Sequence, residues 1–342
     1  MNTFTINGTG LGLRRELLPS LESGVPEVIK FFEVSPENWI DIGGKLGRTF
    51  RAYTERHTFV AHGLSLSIGG PAPLDIAFLQ RMKAFLDEHN FALYTEHLSF
   101  CSDDSHHYDL YPIPFTEEAV HHVAGRMRLA QDILERPIAL ENASYYVKPP
   151  LAEMDELAFI NAVLEDADCP FHLDVNNIYV NSLNNNYDAA AFLKVLLGER
   201  IVCGHVAGHD PDKSGMIIDT HGQTACDPVW QLLELAYQTF GVFPTLLERD
   251  FNMPPLADLL VEVEHIAALQ QRFGNSSCIA FDHRSRRDST SATAPCVALP
   301  PASMQSSHVL GVVPPDLTSM DGGNAARLPG VVAAMQVDGE HV

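Results

Sequence analysis

Thr58-Phe59-Val60-Ala61-His62, a stretch from Leu74 to His89, and Ala92-Leu93-Tyr94-Thr95-Glu96-His97 together decide the fold. The first and last are short apolar runs, each closed by an imidazole. Between them, Ile76, Leu79, Met82, Phe85 and Leu86 recur at a spacing near 3.6, the mark of a helix with one buried face. Two strands joined through a helix lie parallel, because a tight hairpin cannot return the chain in the same direction. Ending a buried strand on a polar side chain costs several kcal/mol unless that group is paired or bound.

Working outward, the same unit repeats. Pro137-Ile138-Ala139-Leu140 ends on Glu141, and Phe171-His172-Leu173 on Asp174. Ile201-Val202-Cys203-Gly204 ends on His205, and Pro244-Thr245-Leu246-Leu247 on Glu248. Earlier strands are read at Thr9–Leu13 and Lys30–Val34. Helix-like stretches cover Glu118–Glu135, Asp155–Ala167, Tyr187–Leu197, Pro228–Phe240 and Pro255–Phe273. Eight such units fit the usual size of a TIM (β/α)8 barrel. A doubly wound sheet also alternates, but it gathers ligands at one switch point rather than at nearly every strand end. A barrel over 1–275 is therefore expected. Residues 276–342, rich in Ser, Ala, Pro and Gly, show neither period and read as a low-complexity, disordered tail.

Composition narrows the function. Lys and Arg number 22 against 44 Asp and Glu, a formal charge of −22, which disfavours nucleic-acid phosphate as a partner. No apolar run reaches the roughly 20 residues of a membrane helix. The N-terminal segment lacks the basic and apolar regions of a signal peptide, so a cytoplasmic protein is expected. None of the six cysteines forms a C-x-x-C pair, which argues against a thiolate zinc site or a disulfide framework.

The strand ends carry the chemistry. His62, His97, Glu141, Asp174, His205, Asp219, His221 and Glu248 make four imidazoles and four carboxylates without a thiolate. Such donors suit iron, manganese or zinc. They exceed what one ion with open positions needs, so two or three ions bridged by Glu141 and Glu248 are expected. Four carboxylates at one barrel mouth repel one another without cations. Asp219-Thr220-His221 is a D-x-H pair whose alternate side chains can reach one ion. A single His or Asp at a strand end is more often a capping group, and only the recurrence favours metal. Glu33, Asn38, Asn177 and His209 are expected to complete the mouth as the catalytic set. Arg249 and Asp250 read as an ion pair, Glu96 as facing away from His97, and His57, His89, His121, His122 and His265 as solvent-facing. His106-His107 reads as a surface loop.

The segments Phe32-Glu33-Val34-Ser35-Pro36-Glu37-Asn38, Glu96-His97-Leu98-Ser99-Phe100, Glu141-Asn142-Ala143-Ser144-Tyr145, Asp174-Val175-Asn176-Asn177 and Glu248-Arg249-Asp250 resemble the DUF692 (UPF0276) family. His62 to Gly69 adds to the likeness, which spans about residues 8–273. These are the multinuclear non-heme iron-dependent oxidative enzymes, which include the methanobactin-maturing oxidase. The resemblance implies a xylose-isomerase-like barrel that uses two or three irons and O2 to oxidise cysteines of a ribosomally made precursor peptide. It further implies a separate leader-binding partner protein. The ligand pattern also resembles the trinuclear endonuclease IV relatives, but Asn177 stands where those nucleases place a His. Two other functions suit the same residues: a divalent-metal hydrolase or sugar isomerase, and a non-enzymatic metal-binding maturation protein.

Overall fold

Eight of the apolar runs are hydrogen-bonded side by side into a closed parallel barrel. The computed structural model describes residues 6–103, 106–149 and 151–274, so the tail expected at 276–342 lies outside the described residues. In chain order the strands are β1 (Thr9–Gly12), β2 (Ile29–Val34), β3 (Thr58–Gly63), β4 (Leu93–His97), β5 (Phe100–Ser102) and β6 (His106–Tyr111). They continue as β7 (Ala139–Glu141), β8 (Phe171–Asp174), β9 (Ile201–Val206), β10 (Asp210–Pro211), β11 (Ile217–Ile218) and β12 (Thr245–Leu247). Strands β5–β6 and β10–β11 are small antiparallel pairs, and the other eight form the barrel. Strand β1 closes it between β12 and β2, with Thr9 beside Thr245.

The helices are α1 (Leu18–Leu21), α2 (Gly44–Thr54), α3 (Ile76–Glu88), α4 (Glu117–Leu134), α5 (Glu156–Ala167), α6 (Val175–Asn185), α7 (Ala189–Leu193), α8 (Asp227–Phe240) and α9 (Leu256–Phe273). Side-chain caps explain several starts. Asp75 accepts from the Phe78 amide, Thr116 from Ala119 and Asp155 from Ala158, each such cap being worth about 1 kcal/mol. Helices α4 and α5 stop where Glu135 and Asp168 adopt left-handed backbone.

Three expectations need correcting. The helix read at Tyr187–Leu197 shortens to α7, because Asp188 caps its start at Ala190 and Ala191. Helix α6 is absent from the sequence reading: its asparagines are poor helix formers, but several of their amides are spent on neighbouring elements. Thus Asn181 donates to Glu156, and Asn184 to the Ile217 carbonyl. His106 and His107 lie in strand β6 rather than in a loop.

The core has two shells. Leu79, Met82, Val123, Met127, Val163, Leu233 and Val263 pack helices against the outer barrel face, each fully buried side chain contributing about 1.5–3 kcal/mol. Inside, Ile6, Phe31, Val60, Leu93, Ala139, Cys203 and Leu246 plug the barrel. Gly10 makes room for that plug, since a Cβ there would stand 2.4 Å from the Phe31 ring. The plug forms a dry floor, and the polar strand ends lie above it.

Candidate metal centre

Strand register brings the polar ends together. His97 lies beside Glu141 on β4 and β7, and Asp174 beside His205 on β8 and β9. His62 Nδ1 is 2.6 Å from Thr95 Oγ1, whose hydroxyl faces the Ala61 carbonyl at 3.5 Å. His97 Nδ1 donates to the Gly63 carbonyl at 3.1 Å. Both rings therefore turn Nε2 inward. Those two atoms are 3.1 Å apart, and Glu141 Oε2 lies 3.2 Å from His62 Nε2 and 3.3 Å from His97 Nε2.

His205 is held the other way round. Its Nε2 meets the Glu33 carboxylate at 3.0 Å, so Nδ1 carries the lone pair in the neutral ring. That Nδ1 lies 3.2 Å from Glu141 Oε1, 3.0 Å from Glu248 Oε2 and 3.9 Å from Asp174 Oδ2. The Glu33 bond fixes both tautomer and ring direction, as carboxylates behind metal-binding imidazoles do. Glu33 is buried behind His205, where it fixes the direction of that ring.

His221 completes the rim. Its Nδ1 lies 2.9 Å from Asp250 Oδ2 and 3.4 Å from Glu248 Oε2, and its Nε2 is 2.7 Å from Asp219 Oδ1. Arg14 from the end of β1 pairs with Asp250 and approaches Glu248 at 3.9 Å. The expected Arg249–Asp250 pair is not formed. Arg249 instead pairs with buried Glu262 on α9 at 2.8 Å, because neighbouring residues of this extended segment face opposite ways.

Among the described residues, three overlapping groups have ligand atoms within 4.8 Å of one another: His62, Glu141 and His205; Glu141, Asp174, His205 and Glu248; and His221, Glu248 and Asp250. Glu141, His205 and Glu248 each belong to two groups, which suits bridging or closely spaced ions. His97 and Asp219 stand at the edges of these groups.

The electrostatics fit cations. His205 Nδ1, His221 Nε2 and Asp174 Oδ2 are buried without a hydrogen bond, although His205 Nδ1 and His221 Nε2 each lie within 3.0 Å of a carboxylate oxygen. Burial opposes charge on His205 and His221, yet Glu33 and Glu248 hold the first, and Asp219 and Glu248 the second, well above the ordinary imidazole value, so both places draw a cation, a proton or a metal. Burial raises Asp174 well above the usual carboxylate range, and Glu141 and Asp219 add to it. Burial opposes charge on His62, yet Glu141 and Glu33 hold it at about 9. Burial, with His62 beside it, pushes His97 down to about 4. One positive charge thus fits between His62, His97 and Glu141. The donor set, nitrogen and oxygen without sulfur, suits iron, manganese or zinc.

The remaining expected residues lie farther out. Asn177 is buried at the start of α6, where its amide nitrogen donates to the Asn142 carbonyl and its backbone N–H to Asp174 Oδ1. Asn38 sits in a 3-10 turn, and its carbonyl accepts from Arg15. His209 stands at the rim on Asn176 at 2.7 Å. Glu96 faces outward, as read, and accepts from Tyr94 at 2.6 Å. His57 and His89 are half-buried rather than solvent-facing: His57 sits edge-on to Phe32, and His89 packs on Phe50 and Phe85.

Sequence reasoning missed several participants. His172 is fully buried on β8, its ring 4.0 Å from His205 and 5.4 Å from His62. Its position two residues before Asp174 on the same strand was the available signal. Asp250 was read only as an ion-pair partner. Ser144 and Tyr146, which contact Asp219 through its Oδ2 and its backbone N–H, gave no pattern to read.

Comparison with known proteins places the chain among its relatives. A family profile described as "RiPP precursor modification enzyme MbnB/TglH/ChrH" matches residues 8–271. A UPF0276 protein of Nitrosospira multiformis is 61% identical over 267 residues, covering 78% of this chain and 94% of its own. A UPF0276 protein of Pseudomonas aeruginosa is 52% identical over 271 residues, covering 79% and 95%. Among solved structures, a D-psicose 3-epimerase matches with TM-score 0.52 and 11% identity over 79% of this chain and 100% of its own. A xylose isomerase domain protein from Planctomyces limnophilus gives 0.51 and 14%, over 79% and 99%. At such identity these two show the fold alone, a xylose-isomerase-like TIM barrel.

Proposed function

Because the chain belongs to the MbnB/TglH/ChrH family of RiPP precursor modification enzymes, we propose that it is a multinuclear iron oxidase acting on cysteine residues of a precursor peptide. The observation that carries this reading is the sharing of Glu141, His205 and Glu248 between neighbouring ligand groups. His62, His97, Glu141, Asp174, His205, Asp219, His221 and Glu248 would hold two or three irons, with Asp250 joining His221. Bound iron would supply O2 activation and a binding place for the substrate thiolate.

The chain's own residues have narrower tasks. Glu33 keeps His205 turned with Nδ1 inward, and Thr95 and Gly63 do the same for the inward nitrogens of His62 and His97. The apolar plug beneath excludes water from below, which strengthens every charge interaction above it. His209, half-buried at the rim, stands where an entering peptide would meet it. Asn177 steadies Asp174, and Asn38 would contact the peptide only through the outer turn. A separate protein is proposed to deliver the peptide leader. No helix among the described residues is long and apolar enough to cross a membrane.

The test is co-expression with short cysteine-bearing peptides encoded beside the gene, followed by intact mass analysis. A defined mass change that requires the protein, iron and O2 is expected. An unchanged peptide with all partners present would sink the reading. Zinc in the purified protein, with no O2 consumed on cysteine peptides, would favour a divalent-metal hydrolase or isomerase. Bound metal with no change in any peptide would favour a maturation protein.

A further inference from the structure

A second constellation sits at the rim beside the carboxylate cluster. Cys226 Sγ lies 4.0 Å from His209 Nε2, and His209 Nδ1 lies 2.7 Å from Asn176 Oδ1. Asn176 Nδ2 donates to Asp219 Oδ1 at 2.6 Å. That last contact orients the rest. A carboxylate accepts only, so the Asn176 nitrogen must face Asp219 and its oxygen must face His209. His209 then donates from Nδ1, and its Nε2 lone pair is turned toward the thiol. Asn176 is fully buried and Tyr179 packs on the imidazole at 5.3 Å, so the base is held in place.

Nucleophile, base and orienting group in that order are the arrangement that activates a weak nucleophile. Cys226 precedes α8 without capping it, which leaves its sulfur to His209. Among the described residues it is the one cysteine that is not buried. Burial pushes the Cys101 thiol up to about 11 and the Cys169 thiol up to about 12, and also raises Cys203 well above the ordinary thiol value. Those three are structural and inert.

We propose that Cys226, with His209 as base and Asn176 as positioning residue, is a thiol–disulfide exchange site that opens disulfides of an incoming cysteine peptide. The thiol reactivity stands on this geometry, while the peptide as electrophile rests on the function proposed above. The Cys226 proton passes to His209 Nε2, and the sulfur pair forms a new S–S bond to one peptide sulfur. The peptide disulfide breaks, its bonding pair leaving on the other sulfur as a thiolate beside the barrel mouth. No net oxidation occurs. A small-molecule thiol then attacks the peptide sulfur of the mixed disulfide and passes its proton to the peptide thiolate freed before. Cys226 leaves and takes back the proton held on His209. The peptide keeps one free thiol, with its other sulfur in a disulfide to the small thiol. A cysteine peptide oxidised to a disulfide has no thiolate to offer, so such a step would keep it usable.

The full-length protein is treated anaerobically with a dipyridyl disulfide, and separately with an oxidised cysteine peptide. Acid quenching and peptide mapping then read Cys226 apart from Cys278 and Cys296, which lie outside the described residues. Rapid labelling of Cys226 is expected, slowed about tenfold or more at pH 7 in His209→Gln, whose rate should still rise with pH but from a lower starting point. Asn176→Ala should slow labelling while leaving Cys226 reactive. Unchanged circular dichroism in each variant would show that the fold is kept. Chelated protein should still label Cys226 far faster than His209→Gln does, which separates this site from the metal reading. Equal rates in wild type and His209→Gln would overturn the proposal. Fast capture of the dipyridyl probe with no capture of the peptide would overturn the peptide as electrophile.

Discussion

His62 and His97 present their Nε2 atoms to each other at 3.1 Å, with Glu141 Oε2 closing the triangle. Each ring is turned by a bond on its far nitrogen, to Thr95 for one and Gly63 for the other. The place between them holds one cation, a proton or a metal.

Competition between the two gives a pH dependence. Without metal, His62 titrates at about 9, above its ordinary 6.5. A raised folded-state value contributes stability fully below about pH 6.5 and loses it as pH rises through about 9. Chelator-treated protein should therefore weaken across that interval in denaturant titrations, and His62→Gln should weaken less, because His205 and His221, which their carboxylate neighbours also raise, keep their own share. Metal affinity should rise over the same interval, because binding displaces the proton. A metal affinity that falls from pH 6.5 to 9 would contradict the assignment.

Glu33 acts only through His205. Glu33→Ala should lower metal affinity by about 10–100-fold, the usual effect of losing an outer carboxylate. Glu33→Gln, which still accepts from His205 Nε2, should lie between that variant and wild type. Competition with a chromogenic chelator reads both. Equal affinity in Glu33→Ala and wild type would remove Glu33 from the centre.

Asn142 holds the Asp174 main chain from both sides, accepting from its N–H at 2.9 Å and donating to its carbonyl at 2.9 Å. Asn142→Ala strands both buried groups, at about 1–3 kcal/mol each. Urea titration should show a loss of at least about 2 kcal/mol without a change in slope. A loss within about 0.5 kcal/mol would mean that the clamp carries little.

Much of this was legible in the sequence, for physical reasons. The period of two structures, strand and helix, fixed eight units, and polar residues closing apolar runs marked the mouth. Helix α6 was hidden because its reason to be helical is tertiary: Asp174 caps it and Asn177 and Asn181 bond the β7 loop. Glu33 was visible as a strand-end carboxylate, but its bond to His205 joins residues 172 apart in sequence, which no local pattern encodes. His172 looked like part of an apolar strand, and Asp250 like the partner of its neighbour Arg249. The pairing of Arg249 with Glu262 depends on where α9 packs, which periodicity alone leaves open.

The most direct test of the shared-ligand centre is the metal count of anaerobically purified, iron-reconstituted protein, in wild type and Glu141→Gln. Wild type should hold about two or three irons per chain, and Glu141→Gln should lose at least one of them, because that carboxylate serves two ligand groups. One iron or none in the wild type, or a count unchanged by Glu141→Gln, would contradict the account.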